Sequence, residues 1–461
     1  MIPRPSNYHT GVSRLVFAGQ ESLSRYQQMA VKFETNSGFS TRYASKPRRL
    51  EVRLLDRTLF FYGKSTRAFT LLEEPCDAVV SLSKDMTHLK TNCVDMILMN
   101  HLNAPSNLDT RSYVNNGIDV IFDSGGFQLV QGTSDFVSPD DPLSVYNHQA
   151  TIGVGLDFPA GPDVDAILFK ENTALQVMNN AYIRARLNPS VSLAPVVHGA
   201  TPKTRRWCLD AVYSKTDKSV CVSGLAIRVA DSPQQLLQKF ANLALVLDRV
   251  RQDADYVHLL GATSALWLTF CSFLSQSGYV KSIGGDSVSH RQAAIGGSYN
   301  TYPHFAGAMS LIQPQSPKTP AALPCPCPVC SLAGDARVLR DYRSSETHHL
   351  YVAAATKRVI DAAVAGYLSG LLSRSELWAA ALGTTSRATR QAKVADTVLT
   401  YFENVRKHGY RKVPKLAPET GFSNNVSGLF AGGVSQHTKT AVARYRTIHK
   451  RYADFHGQDI V

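Results

Sequence analysis

Eight short apolar runs, each separated from the next by a polar or helix-compatible stretch, constrain this chain more than any other feature. They fall at residues 77–81, 96–99, 120–122, 152–156, 193–197, 219–222, 256–260 and 281–283. Parallel strands read this way, because each parallel pair needs a crossover connection and the helices of the crossovers cover both faces of the sheet. The alternation predicts an α/β fold and, within that class, a (β/α)8 TIM barrel. A doubly wound open sheet is the competing architecture. The count of eight and the polar residue after nearly every run favour the barrel, in which chemistry sits at the C-terminal strand ends.

Those ends read Asn100-His101, Asp123-Ser124, Asp157, His198-Gly199, Ser223-Gly224, Gly261 and Asp286-Ser287. Any one of them could simply cap the helix that follows. The end of the third run is the most distinctive: Val120-Ile121-Phe122 runs into Asp123-Ser124-Gly125-Gly126-Phe127-Gln128. Asp and Ser cap turns and glycine supplies positive φ, so a plain turn is one reading, while a carboxylate beside backbone that can approach a ligand is the other. Leu236, Leu237, Phe240, Leu243, Ala244, Val246 and Leu247 recur at helical spacing, which marks 236–251 as an outer helix with a core-facing stripe. Lys203, Arg205 and Arg206 near the fifth strand end read equally as solvated surface or as phosphate contacts.

Four regions follow. Residues 1–75 form an N-terminal extension with a hairpin from 50–55 and 58–62 around Asp56-Arg57. Residues 76–312 are the catalytic barrel. Residues 313–375, opening on a proline-rich stretch, are a zinc-binding subdomain and closing helix, and 376–461 are a basic, mainly helical C-terminal region. Helix-compatible stretches there span 347–372 and 377–405.

The 461 residues carry a formal net charge of +13, which makes an extended polyanion the first partner to consider, since Lys and Arg bind phosphate backbones with counterion release; the alternative is a merely soluble basic protein. No apolar run reaches the length of a membrane span, and Met1-Ile2-Pro3-Arg4-Pro5 lacks the apolar core of a signal peptide, so no membrane partner and a cytoplasmic location are expected. Cys76, Cys93, Cys208, Cys221 and Cys271 stand singly among apolar neighbours and read as reduced core residues. Cys325, Cys327 and Cys330 instead place three soft ligands within six residues, a spacing suited to a structural, tetrahedral zinc with a fourth ligand from His348 or His349.

Asp123 and Asp286 end the third and eighth runs, far apart in sequence but able to converge on one barrel rim, with Asp157 as a third acid. Paired carboxylates are the usual means of breaking a glycosidic bond. The segment 120–128, Ser223-Gly224-Leu225-Ala226, His258-Leu259-Leu260-Gly261, Asp286 and the cysteine cluster, taken together and in order over about residues 77–360, resemble the guanine transglycosylase (queuine/archaeosine tRNA-ribosyltransferase) family, which inserts 7-deazaguanines into nucleic acid.

The resemblance implies a zinc-containing barrel that exchanges guanine for a free deazaguanine base. Carried over by position, Asp286 is the nucleophile on C1′ and Asp123 serves acid/base steps and base recognition. Phe127 stacks on the base, while Ser124, Gln128, Asp157, His198, Gly224, Leu225 and Leu260 line the pocket. Cys325, Cys327, Cys330 and His348 hold zinc, with His349 as the alternative. Departures from the tRNA enzymes point to the DNA-modifying branch: Ser287-Val288-Ser289-His290 replaces a Pro-Thr-Arg type sequence, and the segment between Cys330 and His348 is shorter. His198 stands where those enzymes have Gln. Val229 stands near a position where bacterial ones carry a Glu, which favours the neutral cyano-deazaguanine (preQ0) over a charged amine. The reading is therefore a DNA-guanine transglycosylase, acting alone or with helper proteins that open or present DNA. A tRNA-guanine transglycosylase and a catalytically inactive nucleic-acid-binding subunit are the alternatives.

Overall fold

The computed structural model describes residues 96–103, 110–115, 117–131, 134, 136–159, 166–199, 201–225, 231–262, 264–286, 298–299, 309–310, 342–383, 386–416 and 438–457. The expected first strand at 77–81, the hairpin at 50–62, the three clustered cysteines and Ser287 to His290 lie outside them, as do Ala226 and Val229.

Within the described residues the chain is mixed α/β, built on two parallel four-stranded sheets. The first orders β1 (Met96–Asn100), β2 (Asp119–Asp123), β3 (Ile152–Val154) and β4 (Ser192–Ala194); the second orders β5 (Val196–Val197), β6 (Ser219–Val222), β7 (Tyr256–Leu259) and β8 (Ile283–Gly285). A small antiparallel pair, β9 (Ser298–Tyr299) and β10 (Met309–Ser310), follows. The sheets are not closed: β1 and β8 are outer strands.

Pro195 divides what reads in the sequence as one strand, 193–197. It has no N–H to donate to a ladder. Its carbonyl still accepts from Cys221 N (2.9 Å), and the Ala194 carbonyl accepts from Gly155 N (2.8 Å). Residues 192–197 therefore join the sheets edge to edge, and the strands follow one another in chain order. A doubly wound sheet would reverse that order partway.

Each strand is short, and burial on both faces explains its apolar composition; β6 and β7 are buried at every position. The last strand is displaced from 281–283 to Ile283–Gly285. Lys281 instead pairs with Asp255 (2.8 Å) in the turn, and a Cβ on Gly285 would meet the Ala262 carbonyl at 2.4 Å, so the glycines are there for close packing. The runs at 152–156 and 256–260 stop earlier as strands, at Val154 and Leu259.

Helices Ala166–Arg184, Pro202–Val212, Pro233–Val250 and Ala265–Gln276 fill the later crossovers. Capping boxes at Thr201 and Ser232, each with Pro at the first turn, start the second and third, and Ser264 caps the fourth. The helix Pro233–Val250 buries the predicted stripe, except that Leu237 is partly open. Beyond the sheets, Tyr342–Leu368 packs on Ala265–Gln276, and the expected single stretch 377–405 is two helices, Arg374–Leu382 and Ser386–His408. Gly383, at φ +80°, ends the first of these, a conformation that favours glycine. Cys208, Cys221 and Cys271 are free and buried. No described helix is long and apolar enough to cross a membrane.

Candidate active site

Asn100 Oδ1 caps the short 3-10 turn after β1 by accepting from Leu102 N (2.9 Å), but the polar residues ending β5, β6 and β7 are not helix caps. Thr201, Ser232 and Ser264 do that work several residues further on. His198 meets Ser223, and Asp286 meets His258, at the C-terminal rim, where three carboxylates gather.

Asp123 ends β2, with Asn100 opposite it in the register of β1. Asn100 Nδ2 donates to Asp123 Oδ2 (2.8 Å), and His101 Nδ1 lies 3.1 Å from the Asp123 carbonyl. Surrounding protein pushes the Asp123 carboxyl up to about 7. Burial is the largest cause and the negative charges of Asp157 and Asp286 add to it, while the bonds from Asn100 and from the Ser124 backbone oppose it. Such a group can give or take a proton near neutrality.

Asp157 is buried three residues beyond β3. Its Oδ1 accepts from Ser124 Oγ (3.3 Å), and its Oδ2 accepts from His198 Nε2–H (2.7 Å). His198 Nδ1 is 2.6 Å from Ser223 Oγ. Four strand ends are thus tied by one chain of hydrogen bonds. The two glycines of the Asp-Ser-Gly-Gly string have separate reasons: Gly125 turns the chain at φ +79°, and a Cβ on Gly126 would meet the Asp157 carbonyl at 2.1 Å. The turn reading was therefore half of the answer. The same string makes a turn and seats a carboxylate.

Asp286 follows β8. Its Oδ1 accepts from both His258 Nε2–H (3.0 Å) and Gly261 N (2.9 Å). Tyr256 OH lies 2.8 Å from His258 Nδ1, and burial holds that phenol well above its ordinary value, so it stays protonated and donates. A proton received at Nδ1 puts the imidazole's own N–H on Nε2, toward Asp286. Asp286 Oδ2 accepts no hydrogen bond from the described residues, and the side chain keeps 16% exposure.

The remaining expected residues fall on or beside this rim. Gly224 turns at φ +73°, and Leu225 is fully buried, its carbonyl accepting from Trp267 Nε1 (2.8 Å). Leu260 is partly buried against the core, and Phe127 and Gln128 lie in the helix Gly126–Gln131. Asn100, Tyr256 and Ser223 were not among the expected site residues. Strand alternation was the available signal for Tyr256, two residues before His258 and so on the same face.

Arg205 is a correction to both sequence readings. It is 1% exposed, and its guanidinium donates to the carbonyls of Val197 (3.2 Å), Gly199 (2.7 Å) and Ser223 (3.0 Å), with burial lowering its pKa to about 10. It is an internal strut under two strand ends, neither surface nor phosphate contact. Lys203 and Arg206 are exposed.

Part of the basic C-terminal region supports the rim. In the helix Thr438–His456, Tyr445 OH donates to the Pro159 carbonyl (2.8 Å), Tyr452 OH to the Val137 carbonyl (2.6 Å), and Tyr452 packs edge-on against Phe158 (5.3 Å). Of the expected zinc ligands, His348 is buried beside His349, and His349 Nδ1–H donates to the Ser345 carbonyl (2.6 Å). Cys325, Cys327 and Cys330 lie outside the described residues; within those described, no group of three or more His, Cys, Asp or Glu is placed to hold a metal. Comparison with models of known protein families and with curated proteins gave no match.

Proposed function

We propose that this protein is a DNA-guanine transglycosylase, exchanging guanine for a 7-deazaguanine, preQ0 in the first instance, by double displacement. The observation that carries the reading is the division of labour among the rim carboxylates. Asp286 is held on one oxygen while the other takes no bond from the described residues, as suits a nucleophile, and Asp123 is poised near neutrality, as a proton carrier needs.

In the forward half, Asp286 Oδ2 bonds to C1′ as the C1′–N9 bond of guanine breaks. The departing base keeps that electron pair and gains a proton from Asp123. In the return half, Asp123 takes the N9 proton of the deazaguanine, whose nitrogen displaces Asp286 from C1′. The Ser124–Asp157–His198–Ser223 chain orients Asp157 toward the base, and Phe127 is the proposed stacking partner once the base leaves its helix.

For the architecture we propose a closed (β/α)8 barrel in which residues 77–81 form the strand between β8 and β1. Seven consecutive parallel segments, counting 192–197 as one, support that reading. The donor set of Cys325, Cys327 and Cys330 with one imidazole suits a tetrahedral zinc, which would cross-link the subdomain. His349, with Nδ1 committed to Ser345, offers only Nε2, and His348 is the first choice by position.

The experiment is incubation of the protein with labelled preQ0 and either guanine-containing DNA or tRNA. Label entering DNA and not tRNA is the expected result. Label entering tRNA alone moves the substrate to the second reading, and label entering neither removes the reaction.

A further inference from the structure

Two groups of described C-terminal cations stand apart, one on the helix Thr438–His456 beside the rim and one at 406–415. Arg406, Lys407, Arg411, Lys412 and Lys415 crowd ten residues, with no acid from 404 to 416, and all five are exposed. They stand where the helix Ser386–His408 turns at Gly409 (φ +84°) into the 3-10 turn Tyr410–Lys412. That turn is built. Gly409 N donates to the Val405 carbonyl (2.8 Å) and Lys412 N to the Gly409 carbonyl (3.1 Å). Tyr410, Val413 and Leu416 pack against the core at a spacing of three, which turns the intervening cations outward.

Its position follows from its neighbours. Phe402 packs against Tyr279 (6.0 Å) and Phe270 (6.1 Å), and Arg251 lies over the Tyr279 ring (5.0 Å). Tyr279 precedes β8 and Arg251 precedes β7, so this is the N-terminal side of the strands, a strand length from Asp123, Asp157 and Asp286. Three acids on this side pair with other cations: Asp253 with Arg249 (3.9 Å), Asp255 with Lys281 (2.8 Å), and Glu403 with Arg374.

We propose that this turn is a second nucleic-acid site, binding the phosphate backbone of DNA on the face opposite the rim. It anchors a flank of the duplex rather than the reacting nucleotide, and it does not depend on the reaction assigned above. Cations held on an anchored turn contact phosphates with counterion release and carry no sequence preference.

The test is fluorescence anisotropy of a labelled 30-base-pair duplex over a range of NaCl. It compares wild type, the variant R406Q/K407Q/R411Q/K412Q, and a charge-matched control neutralising the exposed Arg186, Lys215, Lys218 and Lys393. Circular dichroism checks the fold of each. The site variant is expected to bind about tenfold or more weakly, with the slope of log K against log salt shallower by about 3.6, as loss of four phosphate contacts requires. Unchanged affinity and slope overturn the proposal, as do equal losses in the control, which would make the effect one of net charge. Retained DNA affinity with lost binding to phosphatidylserine vesicles also overturns it, in favour of a membrane surface.

Discussion

His258 never touches substrate in the reaction proposed, yet its effect should be large. It supplies one of two donors to Asp286 Oδ1, and Tyr256 decides which of its nitrogens carries the proton. Loss of a hydrogen bond to a charged group costs about 1.5–3 kcal/mol, or roughly ten- to a hundredfold in rate. His258→Ala should slow the first half-reaction by that factor with little change in DNA affinity. His258→Gln, whose amide can still donate, should recover most of the rate in single-turnover measurements. Nitrogen NMR of the His258 ring should report protonation at Nε2 in wild type and a mixture of tautomers in Tyr256→Phe.

Asp123 makes a pH prediction of definite sign. Its folded pKa of about 7 lies above the ordinary carboxyl value, so the folded state holds this proton more tightly than the unfolded chain does. Stability from this group is full below about pH 4 and is lost as pH rises through 7. Asp123→Asn should therefore stabilise the protein at pH 8 by about 2 kcal/mol in chemical denaturation, with the gain vanishing near pH 4. Removing the Asp157 charge should shift the Asp123 titration to lower pH. An Asp157→Asn profile with its inflection unmoved would contradict the coupling.

Elements hold these residues within tenths of an ångström, and glycine and proline decide where they can. At Gly126 any side chain would drive into the Asp157 carbonyl. Gly126→Ala should lower the unfolding free energy by about 3 kcal/mol and disturb the pocket as well, measured by denaturant midpoint and by base binding. Such positions also explain what was legible in the sequence. The seven apolar runs that fall within the described residues located all eight parallel strands to within a few residues, because burial on both faces demands that composition. Pro195 and the Gly284-Gly285 pair defeated the reading in opposite ways. Proline splits a segment that packs as one, and two glycines usually signal a turn but here extend a strand through tight packing. Arg205 was illegible for a further reason: a charge inside the fold is recognisable only once three carbonyls from two strand ends surround it.

Across the whole molecule, the sequence placed positive charge in the C-terminal third but could not say which way it faces. The helix Thr438–His456 spends its tyrosines on the loops beside Asp157, whereas the turn at Tyr410–Lys412 projects charge on the other side of the sheets. Convergence of Asp123, Asp157 and Asp286 on one rim was readable from their shared position after strands. The hydrogen-bond chains around them were not, since they join residues 25 to 41 apart.

The central claim is that Asp286 bonds covalently to C1′ of a guanosine in DNA. Its most direct measurement is a denaturing gel of fluorescent guanine-containing DNA incubated with the protein in the absence of free base. Wild type should give a protein–DNA adduct that disappears when preQ0 is added, and Asp286→Ala should give none while still binding the DNA. An adduct of undiminished yield in Asp286→Ala, or none in wild type, would contradict the account.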